Sequence, residues 1–137
     1  MKPTRTILPR LPAPLIVAAI WFTSSQSTLP KLPGPILGWD KLQHLVAYAA
    51  LGFAVGLWIP RRFRKRRPGR AILLSTLIGS AYGAVDEIHQ YFVPGRYCDV
   101  LDWVANTIGA FLGALAMIFV MRKLESPTNK KVGDSLN

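Results

Sequence analysis

Between Asp86 and Asn106 the chain reads DEIHQYFVPGRYCDVLDWVAN, five charged residues with His89 and Asn106, set between two strongly apolar segments. Earlier, Asp40, His44 and Tyr48 recur at every fourth position. On a helix that spacing lines one stripe. Asp86 with Gln90, Glu87 with Tyr91, and Asp86 with His89 are neighbours on a second helix, and Asp99, Asp102 and Asn106 form a stripe on a third. The carboxylates of Asp40, Asp86, Glu87 and Asp102 and the imidazole of His44 suit a divalent metal, which would hold a phosphate or activate water. Without a metal, a histidine beside a carboxylate is equipped for acid and base work, and Arg96 has the planar fork that grips an anionic head group. The catalytic candidates are Asp86, Glu87, Asp102 and His44, and the same four are the metal candidates. The wider binding set is Asp40, His44, Tyr48, Asp86, Glu87, Gln90, Arg96, Asp99, Asp102 and Asn106. None of these residue types requires a cofactor, although a divalent metal is compatible with them; neither a HExxH helix nor a Walker-type phosphate loop is present.

The same groups have a plainer use, since polar contacts between helices fix which helices pair and in what register. Such bonds average only ~0.6 kcal/mol each in a membrane, so several are needed. That reading suits Asp40, His44 and Asn106 better than the three acids. An ionisable side chain at the centre of a membrane helix costs ~2.5–3.5 kcal/mol, so Asp86, Glu87 and Asp102 are expected to serve a task.

The elements that position these residues follow from composition. Half of the 137 residues are hydrophobic, yet the formal charge is +10. A pI near 10.4 raises nucleic acid as a partner. The basic residues nonetheless fall in the gaps between apolar runs rather than along one face, which argues against nucleic-acid binding. A single cysteine, Cys98, allows no disulfide within the chain. Apolar runs predict four membrane helices, at about 11–26, 41–60, 71–92 and 99–121, in a compact all-α bundle within the bilayer. The first run, Leu11 to Phe22, also has the length of a signal-peptide core, but no clear small-x-small site follows it. The stretch from Thr28 to Trp39, with three prolines and two glycines, is expected to be an external loop. A GxxxG spacing recurs in the last three predicted helices, at Gly52 and Gly56, Gly79 and Gly83, and Gly109 and Gly113. Small residues four apart let helix backbones approach closely in lipid.

Charge sets the expected orientation. The short loop from Arg61 to Arg70 carries seven Lys and Arg residues and no acid, and such loops stay in the cytoplasm. With residues 1–10 and the tail at 122–137 also cytoplasmic, 14 of the 17 basic residues lie inside and only Lys31, Lys41 and Arg96 outside. Asp40, Asp86, Glu87, Asp99 and Asp102 fall on the outer side. The expectation is a multi-pass protein of a bacterial cytoplasmic (inner) membrane, with both termini inside and an acidic cavity facing out.

Several of these residues also carry a resemblance. Trp21 with Ser24, Ser25 and Gln26, then Asp40, Lys41, His44 and Tyr48, then the pattern DExxQxFxPGR from Asp86 to Arg96 and DxxDxxxNxxG from Asp99 to Gly109, resemble the VanZ-like family of bacterial integral membrane proteins. The resemblance runs from about residue 11 to residue 121 and leaves out the basic loop and the tail. It implies a four-helix membrane protein with its motif cluster on the outer side. Because the namesake is associated with teicoplanin resistance, it also implies a link to lipoglycopeptides or the cell envelope. Two functions follow as expectations. The first is a polar cavity that binds an amphiphile by its head group, such as a lipid-linked cell-wall precursor or a lipoglycopeptide. The second is a membrane-embedded, metal-dependent enzyme acting on a lipid head group.

Overall fold

The computed structural model describes residues 11–27 and 39–124. They form five helices and, among the described residues, no strand: α1 (Pro12–Ser24), α2 (Trp39–Trp58), α3 (Arg61–Arg66), α4 (Pro68–Tyr91) and α5 (Val100–Leu124). The expected external loop at 28–38, the first ten residues and the tail from Glu125 lie outside the described residues.

Local chemistry explains where the helix ends depart from the apolar runs. α1 closes two residues early, where the Thr23 hydroxyl bonds back to the Ala19 and Ile20 carbonyls and the Ser25 hydroxyl to that of Trp21. The basic stretch expected to be a loop is largely helical. Pro60 precedes α3, and Arg67, held at φ −138° and ψ 63°, separates α3 from α4. A residue before proline avoids the helical region, whereas Pro68 itself suits the first position of a helix, so α4 starts three residues before Ala71. α5 starts at Val100 because the Asp99 carboxylate accepts from the Leu101 N–H at 2.8 Å, an N-terminal cap. It runs on to Leu124 with Arg122 and Lys123 in its last turn, where cations complement the helix dipole.

α4 and α5 are each long and apolar enough to cross a membrane. α2 is comparable in length but carries Asp40, Lys41, Gln43 and His44 in its first turns, and α1 has only 13 residues. Leu73, Leu77, Val85 and Ile88 of α4 and Leu112, Leu115 and Phe119 of α5 are exposed, an apolar surface that a bilayer would cover.

The core is a seam of small residues. A side chain at Gly113 would strike the Ala49 backbone, with the Ala49 Cα only 2.9 Å from the added carbon, and Gly109 lies as tightly against Leu45. Ala110, fully buried, presents its backbone to Gly52 of α2 and its methyl group to Gly79 of α4, so three helices meet at one residue. This close packing brings α2, α4 and α5 together at backbone distance. α1 lies outside that seam, against α2 and α4, and the Tyr82 hydroxyl donates to the Val17 carbonyl at 3.1 Å. The start of α2, the end of α4, the start of α5 and the end of α1 therefore share one end of the bundle. The basic residues of α3 share the other with Arg122 and Lys123.

Candidate functional site

Adjacent helix starts and ends gather the three polar stripes. His44, Tyr48, Asp86, Glu87, Gln90, Asp102 and Asn106 meet where α2, α4 and α5 converge. Asp86, Glu87, Gln90, Asp102 and Asn106 are all buried. Asn106 links His44 to Glu87. Its Nδ2 donates to Glu87 Oε1 at 3.5 Å, and its Oδ1 lies 2.9 Å from His44 Nδ1. Because a carboxylate only accepts, the amide nitrogen must face Glu87, and His44 Nδ1 must then be the donor to Asn106. His44 Nε2 is thereby left with a lone pair, 3.8 Å from Asp102 Oδ2. His44 Nδ1 is 3.9 Å from Glu87 Oε1, so the imidazole lies between two carboxylates.

Asp86 is the deepest acid. Its Oδ2 accepts from the Tyr48 hydroxyl at 3.2 Å and from Gln90 Nε2 at 3.5 Å, while its Oδ1 is buried with no hydrogen-bond partner. Glu87 also accepts from the Asp99 N–H at 3.2 Å, tying the end of α4 to the start of α5.

Lys41, absent from the residues selected from sequence, organises the rim. Its ammonium bridges Asp99 at 2.5 Å and Asp102, the latter in a very short contact. The signal was present: one lysine lies a turn before His44 at the head of an otherwise apolar helix, opposite a pair of acids. Asp99 is more exposed than Asp102, and its carboxyl is held below the usual aspartate range by the hydrogen bond from Lys41 and then by the Leu101 N–H.

Arg96 lines the polar cavity and is also tied to α1. Its Nε donates to the Gln26 carbonyl and its Nη2 to the Thr23 carbonyl, both at 3.1 Å, so the guanidinium caps the C-terminal end of α1. Gly95, at φ +82°, supplies the left-handed backbone that turns the chain toward α1. His89 belongs to the same joint. Its ring stacks on Trp21 with centroids 3.9 Å apart, and its Nε2 lies 3.0 Å from the Ser25 hydroxyl.

Two hollows flank α1. One is a polar cavity of about 260 Å³, lined by Thr23, Ser24, Asp40, His44, Tyr48, Asp86, Gln90 and Arg96. Asp40 lines it while remaining exposed. The other is an apolar groove of about 990 Å³ between α1, α2 and α4, lined by Val17, Ala18, Trp21, Val55, Phe63 and Tyr82 among others. Tyr48 of the cavity and Tyr82 of the groove are adjacent, their ring centroids 6.2 Å apart. One ligand atom each from His44, Asp86 and Glu87 lie within 4.8 Å of one another, as do those of Asp40, His44 and Asp102.

Neither a curated protein nor a solved structure matches the chain. The profile of the VanZ/LLP1 family matches residues 9–122, which include every residue of this cluster, and the chain belongs to that family.

Proposed function

We propose that this protein is a four-span membrane protein that binds an amphiphile, with the head group in the polar cavity and the hydrocarbon chain in the groove beside α1. The observation that carries this reading is the adjacency of the two hollows: a small polar cavity and a large apolar groove flank the same helix, with Tyr48 and Tyr82 side by side between them. A water-soluble ligand would have no use for the groove, and a pure hydrocarbon none for the cavity. The groove follows α1, whose 13 residues span about 20 Å, much of the way across a ~30 Å hydrocarbon core. Basic residues at the α3 end support an orientation with both termini cytoplasmic and the cavity at the outer leaflet. A lipid-linked cell-wall precursor or a lipoglycopeptide such as teicoplanin has the required two-part chemistry, and either would connect the protein to the cell envelope and to antibiotic resistance.

The test is binding in nanodiscs, read by native mass spectrometry, for a lipid-linked wall precursor, a lipoglycopeptide and the water-soluble head group alone. Ala18→Phe fills the groove without touching the polar cluster, and Gln90→Ala alters the cavity. Both substitutions are expected to weaken the amphiphile, and the head group alone to bind far less well. Equal binding by the parent and both variants would overturn the proposal.

A second reading rests on a separate observation, the placement of His44 between Glu87 and Asp102. A histidine so oriented can take a proton at Nε2, which suits an enzyme acting on a lipid head group, with Asp86, Glu87 and Asp102 as its other groups. Head-group release from a lipid phosphate that is lost in His44→Gln would favour this reading; absence of turnover would leave the binding role.

A further inference from the structure

We propose that His44 and Asp86 on the wall of the polar cavity, together with the buried Glu87 beside them, form a site for a divalent transition-metal ion. The donors of a tetrahedral ion with bonds of ~2.0–2.1 Å stand about 3.4 Å apart. The ligand atoms of these three residues already lie within 4.8 Å of one another, so small side-chain rotations close the set.

The unpartnered Asp86 Oδ1 points to a ligand independently of that spacing. Asp86 is 1% exposed, and both of its hydrogen bonds fall on Oδ2. A buried carboxylate oxygen without a partner bears its full desolvation cost, and a cation beside it removes that cost. The nearby cationic side chains are committed elsewhere: Lys41 to Asp99 and Asp102, Arg96 to the carbonyls of α1.

The surroundings of His44 complete the site. When Nδ1 turns its lone pair to a metal, the ring proton moves to Nε2, which faces Asp102 Oδ2, so no net proton is lost. That is the arrangement in which a carboxylate orients a metal-bound histidine. Asn106 Oδ1, 2.9 Å from Nδ1, is placed to serve as a fourth ligand. One imidazole, two carboxylates and an amide oxygen favour Zn²⁺ or Mn²⁺ over Ca²⁺ or Mg²⁺, and the two carboxylates balance a double positive charge. The alternative trio, Asp40, His44 and Asp102, is weaker because Asp102 is bound by Lys41 and Asp40 is exposed.

The experiment loads chelator-stripped protein with Zn²⁺ or Mn²⁺ in detergent, with no lipid-linked precursor or lipoglycopeptide added. Metal retained after gel filtration and the shift in Tm are then measured on the same samples. The parent is expected to keep one ion per chain and to gain Tm, with Ca²⁺ and Mg²⁺ giving no shift. Asp86→Asn and His44→Gln should keep no ion and show no shift, and Asp102→Asn should bind about 10–100-fold more weakly. Arg122→Gln, at the opposite end of α5, should load like the parent. A parent that retains no ion, or uptake that persists in both Asp86→Asn and His44→Gln, would overturn the site. Because bound metal is read without any precursor or lipoglycopeptide, failure here is distinct from failure of the binding role proposed above.

Discussion

Asn106 Oδ1 faces His44 Nδ1 at 2.9 Å across the seam between α2 and α5, in a position with no exposure to the surroundings. The same amide reaches Glu87 on α4. One side chain therefore joins three helices at the depth where their polar stripes meet. Asn106→Ala would leave both His44 and Glu87 short of a partner, and about 1–3 kcal/mol of stability should be lost. Thermal unfolding in one detergent measures it. A loss below the ~0.6 kcal/mol of a typical interhelical bond would show that the three helices do not depend on this residue.

Lys41 bridges Asp99 and Asp102, and Asp102 is almost fully buried while Lys41 is only partly so. Removing one member of such a pair is more damaging than removing both, because a buried charge is left alone. Lys41→Met should cost about 3 kcal/mol, and Asp102→Leu added to it should restore much of that loss. A double-mutant cycle on Tm and denaturant midpoints decides the matter. Additive losses would mean that the two residues act separately.

Acid should loosen the rim in a predictable direction. The Asp99 carboxyl is held low by Lys41 and by the Leu101 N–H, so its folded pKa lies below its unfolded value, ~3.9. A lowered folded pKa means that the stabilisation is present above the unfolded value and is lost as pH falls through the folded one. Between pH 7 and pH 5 the parent and Asp99→Asn should therefore keep a constant difference in Tm, which narrows below about pH 4. A difference that widens on acidification would reverse the assignment.

Much of this architecture was legible in residue spacing, because the cost of polar groups in an apolar setting leaves few arrangements. Asp40, His44 and Tyr48 at four-residue intervals had to share a face, and the GxxxG pairs marked where backbones touch. Less legible was which partner each polar group would choose. Arg96 has the chemistry of an anion clamp and lines the cavity, but residue type gave no sign that it would also bond the Gln26 carbonyl after α1, 70 residues away in sequence. Asp99 read as a site acid and serves as a helix cap, since a residue just before Val100 has the Leu101 N–H within reach. Lys41 was less legible because its pairing with Asp99 and Asp102 joins residues 58 and 61 apart in sequence.

The small-residue seam gives a prediction with opposite signs at two glycines. At Gly113 an added methyl group meets the Ala49 backbone, which cannot move without parting α2 from α5. Overpacking of this kind costs about 1–3 kcal/mol, and Gly113→Ala belongs at the upper end because backbone rather than a flexible side chain blocks it. Gly69, in the first turn of α4, has nothing within 4 Å of the same added atom, and its φ is not positive. Gly69→Ala reduces the freedom of the unfolded chain and should stabilise by about 0.4–1 kcal/mol. Thermal unfolding of the two variants beside the parent would separate close packing from a general intolerance of glycine replacement. If both lose stability alike, the second explanation holds; a loss at Gly113 with a gain at Gly69 places the stabilising contact where α2 and α5 touch.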